Sequence, residues 1–118
     1  MKDKSAVMRV FVCSPYSGNV LQNVENAKKF TRYVLNAGCA AYTPHLYLPL
    51  VLDDENEAER TQGINCGLAF MECISQCWVF APEGDISPGM KKEIEYARRI
   101  GVTVFVVGQE TIKDILSK

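Results

Sequence analysis

Four short apolar runs alternate with segments of helical periodicity, and this alternation restricts the fold more than any other feature of the sequence. The apolar runs predict strands over residues 7–12, 39–44, 77–81 and 102–107. Helices are predicted over residues 20–37, 58–76 and 88–100, and from residue 109 or 111 to 116. Such alternation is typical of a parallel sheet that is covered by helices on both faces. We therefore expect a small α/β fold, a flavodoxin-like or Rossmann-like three-layer sandwich with a four-stranded parallel sheet, or a five-stranded one.

Burial and size follow from the same pattern. The run at 102–107 (VTVFVV) has the most continuous apolar composition, so it is predicted to be the most completely buried strand. A chain of 118 residues supports one hydrophobic core, and residues 1–118 are therefore assigned to a single domain. In the segment at 58–76, Gly63 and Gly67 are four residues apart, which predicts close packing on that side of the helix.

Composition excludes several classes of function. The net charge is -1 and the basic residues are scattered, which argues against binding to duplex nucleic acid. The five cysteines are odd in number and no signal-peptide pattern precedes them, so we expect reduced thiols in a cytoplasmic protein. No apolar run is long enough to cross a bilayer, and no association with membranes is predicted.

No metal or other cofactor is expected. The sequence has no CxxC pair, and His45 is its only histidine. The acidic stretch at 53–57 is interpreted as a solvated helix N-terminus in preference to a cation site. The connection from His45 to Asn56 is long for a small domain, which is typical of a lid or a binding loop. Its apolar part needs cover from the core or from a second subunit.

A single charge is predicted on the buried face of the helix that follows the third strand. Ser87 is expected to cap this helix. On a helical wheel Glu93 falls within an apolar stripe, and a buried carboxylate is costly unless it is paired or its pKa rises. Glu93 is therefore a candidate functional residue; the alternative is that it lies at the margin of the stripe and reaches water. The stripe consists of Met90, Ile94, Ala97 and Ile100.

The turn after the first strand is the second part of the predicted site. In open parallel sheets, ligands bind at the carboxyl ends of the strands where the strand order reverses, and we place this switch point at the first strand. The turn is thus expected to face residues 87–93 across one crevice, although many such turns bind nothing. It offers free helix N–H groups together with Ser14, Tyr16, Ser17, Gly18 and the N-cap residue Asn19.

Four segments carry a resemblance to a known superfamily. They are residues 13–19 (CSPYSGN), 44–46 (PHL), 78–80 (WVF) and 87–97 (SPGMKKEIEYA). In this order, over nearly the whole chain, they resemble the nucleoside 2-deoxyribosyltransferase-like superfamily, and within it a branch of short bacterial and phage proteins. The most specific part is the Ser-x-Gly-x-x-x-Glu spacing. The resemblance implies that Glu93 attacks the anomeric carbon, that Tyr16 helps to place sugar and carboxylate, and that the protein is a homodimer or a larger homo-oligomer.

The resemblance also bears on the substrate. Members that hydrolyse deoxynucleoside monophosphates have a serine six residues before the glutamate, as Ser87 is here, whereas transferases of free nucleosides have an aspartate. Ser87 therefore favours a phosphorylated substrate. The preference is slight, because the first turn lacks the Gly-rich phosphate loop of the hydrolases. The substrate-binding residues expected beside Glu93 and Tyr16 are Ser14, Ser17, Gly18, Asn19, His45, Asp53, Ser87, Gly89 and Met90.

The leading interpretation is an enzyme that cleaves or transfers the N-glycosidic bond of a (deoxy)nucleoside or a nucleoside 5′-monophosphate. The alternative is a non-catalytic module that binds or senses a nucleotide in the same pocket. A phosphoacceptor signalling domain is disfavoured because Cys13 and Ser14 follow the first strand where an aspartate is needed. The group that protonates the departing base stays open among Asp53, Asp54, Asp85 and His45.

Overall fold

The structure is a computed structural model that describes residues 7–118, and it confirms the predicted α/β fold with four parallel strands. The strands are β1 (Arg9–Cys13), β2 (Ala40–Tyr42), β3 (Gln76–Val79) and β4 (Thr103–Val106). The helices are α1 (Val20–Asn36), α2 (Leu48–Val51), α3 (Glu57–Met71), α4 (Pro88–Arg99) and α5 (Gln109–Leu116). Short 3-10 turns occupy Pro44–Leu46 and Pro82–Gly84.

The strand order is β2-β1-β3-β4, and each neighbouring pair is parallel. The chain moves from β1 to one side for β2, and then crosses to the other side of β1 for β3. The order therefore reverses at β1, as the sequence predicted, and a crevice opens above its carboxyl end. The turns that follow β1 and β3 flank this crevice.

The two faces of the sheet differ in composition. Along β1 the side chains alternate, so Val10 and Val12 point to one face while Phe11 and Cys13 point to the other. We name the first the α1/α5 face and the second the α3/α4 face. The buried residues of the α1/α5 face are Val10, Val12, Phe30, Val34, Phe80, Val107, Ile112 and Ile115. Those of the α3/α4 face are Phe11, Cys13, Met71, Cys77, Val79, Ala81, Met90, Ile94 and Ala97.

Both predicted N-caps are present. The side chain of Asn19 accepts a hydrogen bond from the N–H of Gln22 at 3.3 Å, and α1 begins at the next residue. Ser87 Oγ accepts from the N–H of Met90 at 3.2 Å and starts α4 in the same way. Each cap satisfies one of the N–H groups that a helix start leaves without an intrahelical partner.

The predicted complete burial of the last strand is wrong. β4 is an edge strand, and the side chains of Phe105 and Val106 are 53% and 59% exposed. Continuous apolar composition indicates a strand, but it does not show whether helices cover both of its faces. The prediction for Ile100 is also wrong, since it follows the last turn of α4 and is exposed.

Two connections differ from their predicted form. The second long helix ends at Met71, not at residue 76, because the chain turns back so that the N–H of Ser75 donates to the carbonyl of Arg9 at 2.8 Å. Residues 45–56 are partly helical. His45 lies in the 3-10 turn Pro44–Leu46, and α2 follows this turn. Ordered structure in this segment places its apolar side chains beside the crevice.

Candidate active site

A cavity of about 570 Å³ lies in the crevice at the carboxyl end of the sheet. The β1–α1 turn, the segment around α2, the cavity side of α3 and the start of α4 surround it. The structure thus brings together the two segments that the sequence placed on opposite sides of one crevice. The predicted site residues that line the cavity are Tyr16, Ser17, His45, Ser87, Gly89, Met90 and Glu93.

Four predicted site residues lie outside the cavity lining. Ser14 is only 1% exposed, and its Oγ has no hydrogen-bond partner among residues 7–118. Gly18 has a φ of 98°, which gives the turn its left-handed geometry, and Asn19 caps α1. The carboxylate of Asp53 accepts a hydrogen bond from the N–H of Glu55 at 3.0 Å. Three of these residues therefore have local structural contacts, whereas Ser14 has an unsatisfied hydroxyl.

Glu93 is the one acidic side chain on the inner side of α4. Its Oε1 atom is buried and has no hydrogen-bond partner within the described chain, although other parts of the side chain reach the cavity. Burial raises the pKa of Glu93 to about 8, and the Cys13 thiol opposes part of this rise. An isolated carboxyl group with such a pKa beside a cavity is a typical feature of functional sites.

Tyr16 and His45 form a stacked pair above β1. Their ring centroids are 5.1 Å apart with an interplanar angle of 30°. His45 Nε2 lies 3.0 Å from the carbonyl oxygen of Ser14, and because a carbonyl can only accept, Nε2 carries the proton. Burial lowers the pKa of His45, which favours the neutral ring although the hydrogen bond to Ser14 and the charge of Asp54 oppose this shift. The imidazole therefore anchors the turn and presents only an acceptor, Nδ1, to other groups.

The backbone of the β1–α1 turn is also fixed from the side of α1. The amide of Asn23 donates to the carbonyl oxygens of Tyr16 and Ser17 at 2.9 and 3.1 Å. The pKa of Tyr16 is raised by burial and by the negative charge of Asp54. The phenol is accordingly a neutral hydrogen-bonding group at the cavity wall.

The cavity contains residues that the sequence did not single out as binding residues. Asp54 lines it in place of its neighbour Asp53, and Arg60 and Lys92 supply two positive charges. The sequence contained a signal for Arg60: it lies three residues before Gly63 and seven before Gly67, which is the spacing of one helix face. All three residues line the cavity. The sequence predicted close packing at Gly63. A Cβ added there would lie 3.5 Å from Leu52 Cδ1, which is an ordinary van der Waals contact and not a clash.

Within residues 7–118, no group of three or more His, Cys, Asp or Glu side chains is arranged to hold a metal ion. All five cysteines are free thiols. None of the helices in the described range combines the length and the apolar character needed to cross a membrane.

The fold and the site define a class of protein: an open parallel α/β sheet with a small-molecule cavity at its switch point and a buried carboxyl group at the cavity wall. The family model "Domain of unknown function (DUF7768)" matches residues 8–107, and the chain belongs to this family. The search of curated proteins gave no match.

Among solved structures, the chain is similar to a 2-deoxyribosyltransferase from the psychrotolerant bacterium Bacillus psychrosaccharolyticus. The TM-score is 0.68 at 12% sequence identity, and the match covers 90% of this chain and 80% of the other. At this identity the likeness shows a shared fold and does not by itself transfer residues or activity.

Proposed function

We propose that this protein cleaves or transfers the N-glycosidic bond of a nucleoside or a nucleoside 5′-monophosphate, with Glu93 as the nucleophile. The observation that carries the proposal is the buried, unpartnered Oε1 of Glu93 beside a cavity that Tyr16 also lines. The fold shared with a 2-deoxyribosyltransferase supports a nucleoside-related function. The resemblance of the segments around Ser87 and Glu93 to the deoxyribosyltransferase-like superfamily supports the same chemistry.

The proposed reaction has two steps. A Glu93 carboxylate oxygen forms a bond to C1′ while the bond from C1′ to the base nitrogen breaks. The electron pair of the broken bond stays on the base, which takes up a proton. Water, or a nitrogen of a second base, then attacks C1′ and releases the carboxylate. Water gives hydrolysis and a second base gives transfer, and in this proposal Tyr16 orients the sugar in both cases.

The cavity geometry narrows the choice of proton donor. Of the four candidates from the sequence, Asp54 and His45 line the cavity, whereas Asp53 and Asp85 do not. The Nε2 proton of His45 is held by the carbonyl of Ser14, so it is not available to a substrate. Asp54 is therefore the remaining candidate, and it must take up a proton before it can donate one to the departing base.

Two cations in the cavity suit a 5′-phosphate, and the carboxylates of Asp54, Glu57 and Glu59 line the cavity as well. Arg60 and Lys92 line it, and neither forms an ion pair among residues 7–118, where the pairs are Lys28–Glu25 and Lys118–Asp114. Each of these two cations can form a charge-assisted hydrogen bond with an anion at close range, and a 5′-phosphate supplies one. The hydroxyl of Ser87 at the start of α4 is a further group that suits a phosphate.

The test is turnover on a panel of substrates. The protein is incubated with 2′-deoxynucleosides and with deoxynucleoside monophosphates, each with and without a second free base, and released or exchanged base is measured by chromatography. We expect base release or exchange from at least one monophosphate. Glu93→Gln should lower this turnover by roughly 10³-fold or more, because the nucleophile is lost. Glu95→Gln is the matched control, since Glu95 is exposed on the same helix.

Two results would contradict the proposal. Glu93→Gln protein that keeps wild-type turnover would exclude the carboxylate as nucleophile. Tight binding of a nucleotide by calorimetry, with no turnover of any member of the panel, would support the alternative of a binding or sensing module.

A further inference from the structure

The α3/α4 face contains buried thiols close to the candidate nucleophile. Its buried residues are otherwise apolar, and the only side chains among them with a hydrogen to donate are Cys13 and Cys77. Cys13 is the last residue of β1 and is fully buried. Its Sγ lies 3.8 Å from the carbonyl oxygen of Met90, which is three residues, or about one helical turn, before Glu93. On this face, Cys13 and Cys77 are therefore the candidate donors to Glu93. Outside this set, the buried hydroxyl of Ser14 also has no partner among residues 7–118.

The strand register separates the two thiols. Cys13 is opposite Val79, and Cys77 is opposite Phe11. Cys77 therefore lies two residues further from the carboxyl end of the sheet, which is about 6–7 Å along the strand. Since α4 begins above that end, Cys13 is the thiol nearer to Glu93.

We propose that Cys13 is a positioning residue for Glu93: its thiol turns from the Met90 carbonyl to the carboxylate when Glu93 loses its proton, and holds the ionised side chain toward the cavity. This proposal concerns the ionisation of Glu93, and it does not depend on the proposed reaction. Its consequence for turnover rests on the proposed function.

Electrostatics agree with this role. The neighbouring thiol of Cys77, burial and the charge of Glu93 all raise the pKa of Cys13, in that order, so the thiol keeps its proton and can act as a donor. Cys13 is also the side chain that lowers the pKa of Glu93. The other titratable or charged side chains that line the cavity are Tyr16, His45, Asp54, Glu57, Glu59, Arg60 and Lys92.

The test is a direct titration of the Glu93 carboxyl group by ¹³C NMR in the wild-type protein and in three variants. Cys13→Ala removes the donor and should raise the Glu93 pKa by about 0.5–1 unit. Cys13→Ser keeps a donor of stronger hydrogen-bonding capacity, so its Glu93 pKa should lie at or below the wild-type value. Cys77→Ala removes the neighbouring buried thiol and should change the pKa by less than half as much as Cys13→Ala.

Equal Glu93 titration midpoints in wild type and Cys13→Ala would overturn the proposal. Equal shifts in Cys13→Ala and Cys77→Ala would also overturn it, because they would indicate a general packing effect. If Cys13→Ala does not fold, the Glu93 pKa values of Cys13→Ser and Cys77→Ala are compared with that of the wild type. A Glu93 pKa above the wild-type value in Cys13→Ser contradicts a donor role for residue 13.

Turnover gives the second readout, with the substrate found in the panel above. In Cys13→Ala the rise of kcat/KM with pH should move to higher pH by the same amount as the NMR midpoint. If no substrate is turned over, the NMR titration still confirms or overturns the role of Cys13. Failure of the proposed reaction and failure of this inference are thus distinguishable.

Discussion

The two faces of the sheet share the same strands but differ in how their interiors are filled. On the α1/α5 face the buried side chains are apolar throughout, and Phe30 and Phe80 stack with ring centroids 4.6 Å apart. On the α3/α4 face, two thiols lie among the apolar residues, Glu93 enters from α4, and a cavity opens above. The first face contributes stability at every pH. The second contains a carboxyl group whose ionisation opposes folding, which is the usual condition of a functional site.

The largest expected effect comes from opening the α1/α5 face. Phe30→Ala should lower the free energy of unfolding by about 3–5 kcal/mol, because it removes a fully buried aromatic ring and its stacking partner's contacts. Leu21→Ala is the control on the same helix; Leu21 is 84% exposed, so a change of no more than about 0.5 kcal/mol is expected. Urea denaturation measures both. A loss below about 1 kcal/mol for Phe30→Ala would show that this face is not the main source of stability.

The second effect tests the cost of the carboxyl group on the α3/α4 face. The pKa of Glu93 is about 8 in the folded protein against an ordinary value of 4.5. Between these values the folded state retains a proton that the unfolded state releases, so stability falls as pH rises through this window. Glu93→Gln keeps the shape and removes the titration. Relative to wild type, the variant should gain about 2–4 kcal/mol between pH 5 and pH 9.

Urea denaturation of both proteins at pH 5, 7 and 9 measures this gain. His45 acts in the opposite direction: its lowered pKa removes stability as pH falls below its ordinary value of 6.5. This contribution is common to both proteins and cancels in the difference. Parallel stability curves for wild type and Glu93→Gln would mean that Glu93 is solvated, which would also weaken the proposed function.

Much of this contrast was predictable from sequence. The wheel of residues 88–100 placed Glu93 in the apolar stripe, and its buried Oε1 confirms that prediction. The switch point at β1 followed from the alternation of strands and helices. Ser87 and Asn19 were predictable as caps, because a short polar side chain before a periodic segment has few other roles.

Other features depend on tertiary contacts that local patterns do not encode. Phe105 is exposed because β4 lies at the edge of the sheet. An apolar run does not show whether its strand is at the edge or in the centre, so this exposure could not be predicted from sequence. The choice between Asp53 and Asp54 depends on a single turn, in which Asp53 bonds to the N–H of Glu55 and Asp54 is left to face the cavity. Arg60 and Lys92 line the same cavity only because α3 and α4 pack side by side.

The smallest effects compare a glycine that borders each face. Gly38 ends α1 with a φ of 85°, a left-handed conformation, so Gly38→Ala should cost about 1 kcal/mol. Gly63 lies inside α3, where an added Cβ would meet Leu52 Cδ1 at 3.5 Å and Leu48 Cδ1 at 4.0 Å. Gly63→Ala should therefore stabilise the protein by about 0.5–1 kcal/mol.

Opposite signs in urea denaturation are the expected outcome for this pair. The comparison becomes sharper with Gly63→Leu, whose longer side chain extends into the cavity that Gly63 lines. That variant should keep the folded state but weaken binding of any ligand that Gly63→Ala still binds, as measured by calorimetry. If Gly63→Leu binds as tightly as Gly63→Ala, the α3 wall of the cavity is not part of the ligand site, and the site would be limited to the β1–α1 turn and α4.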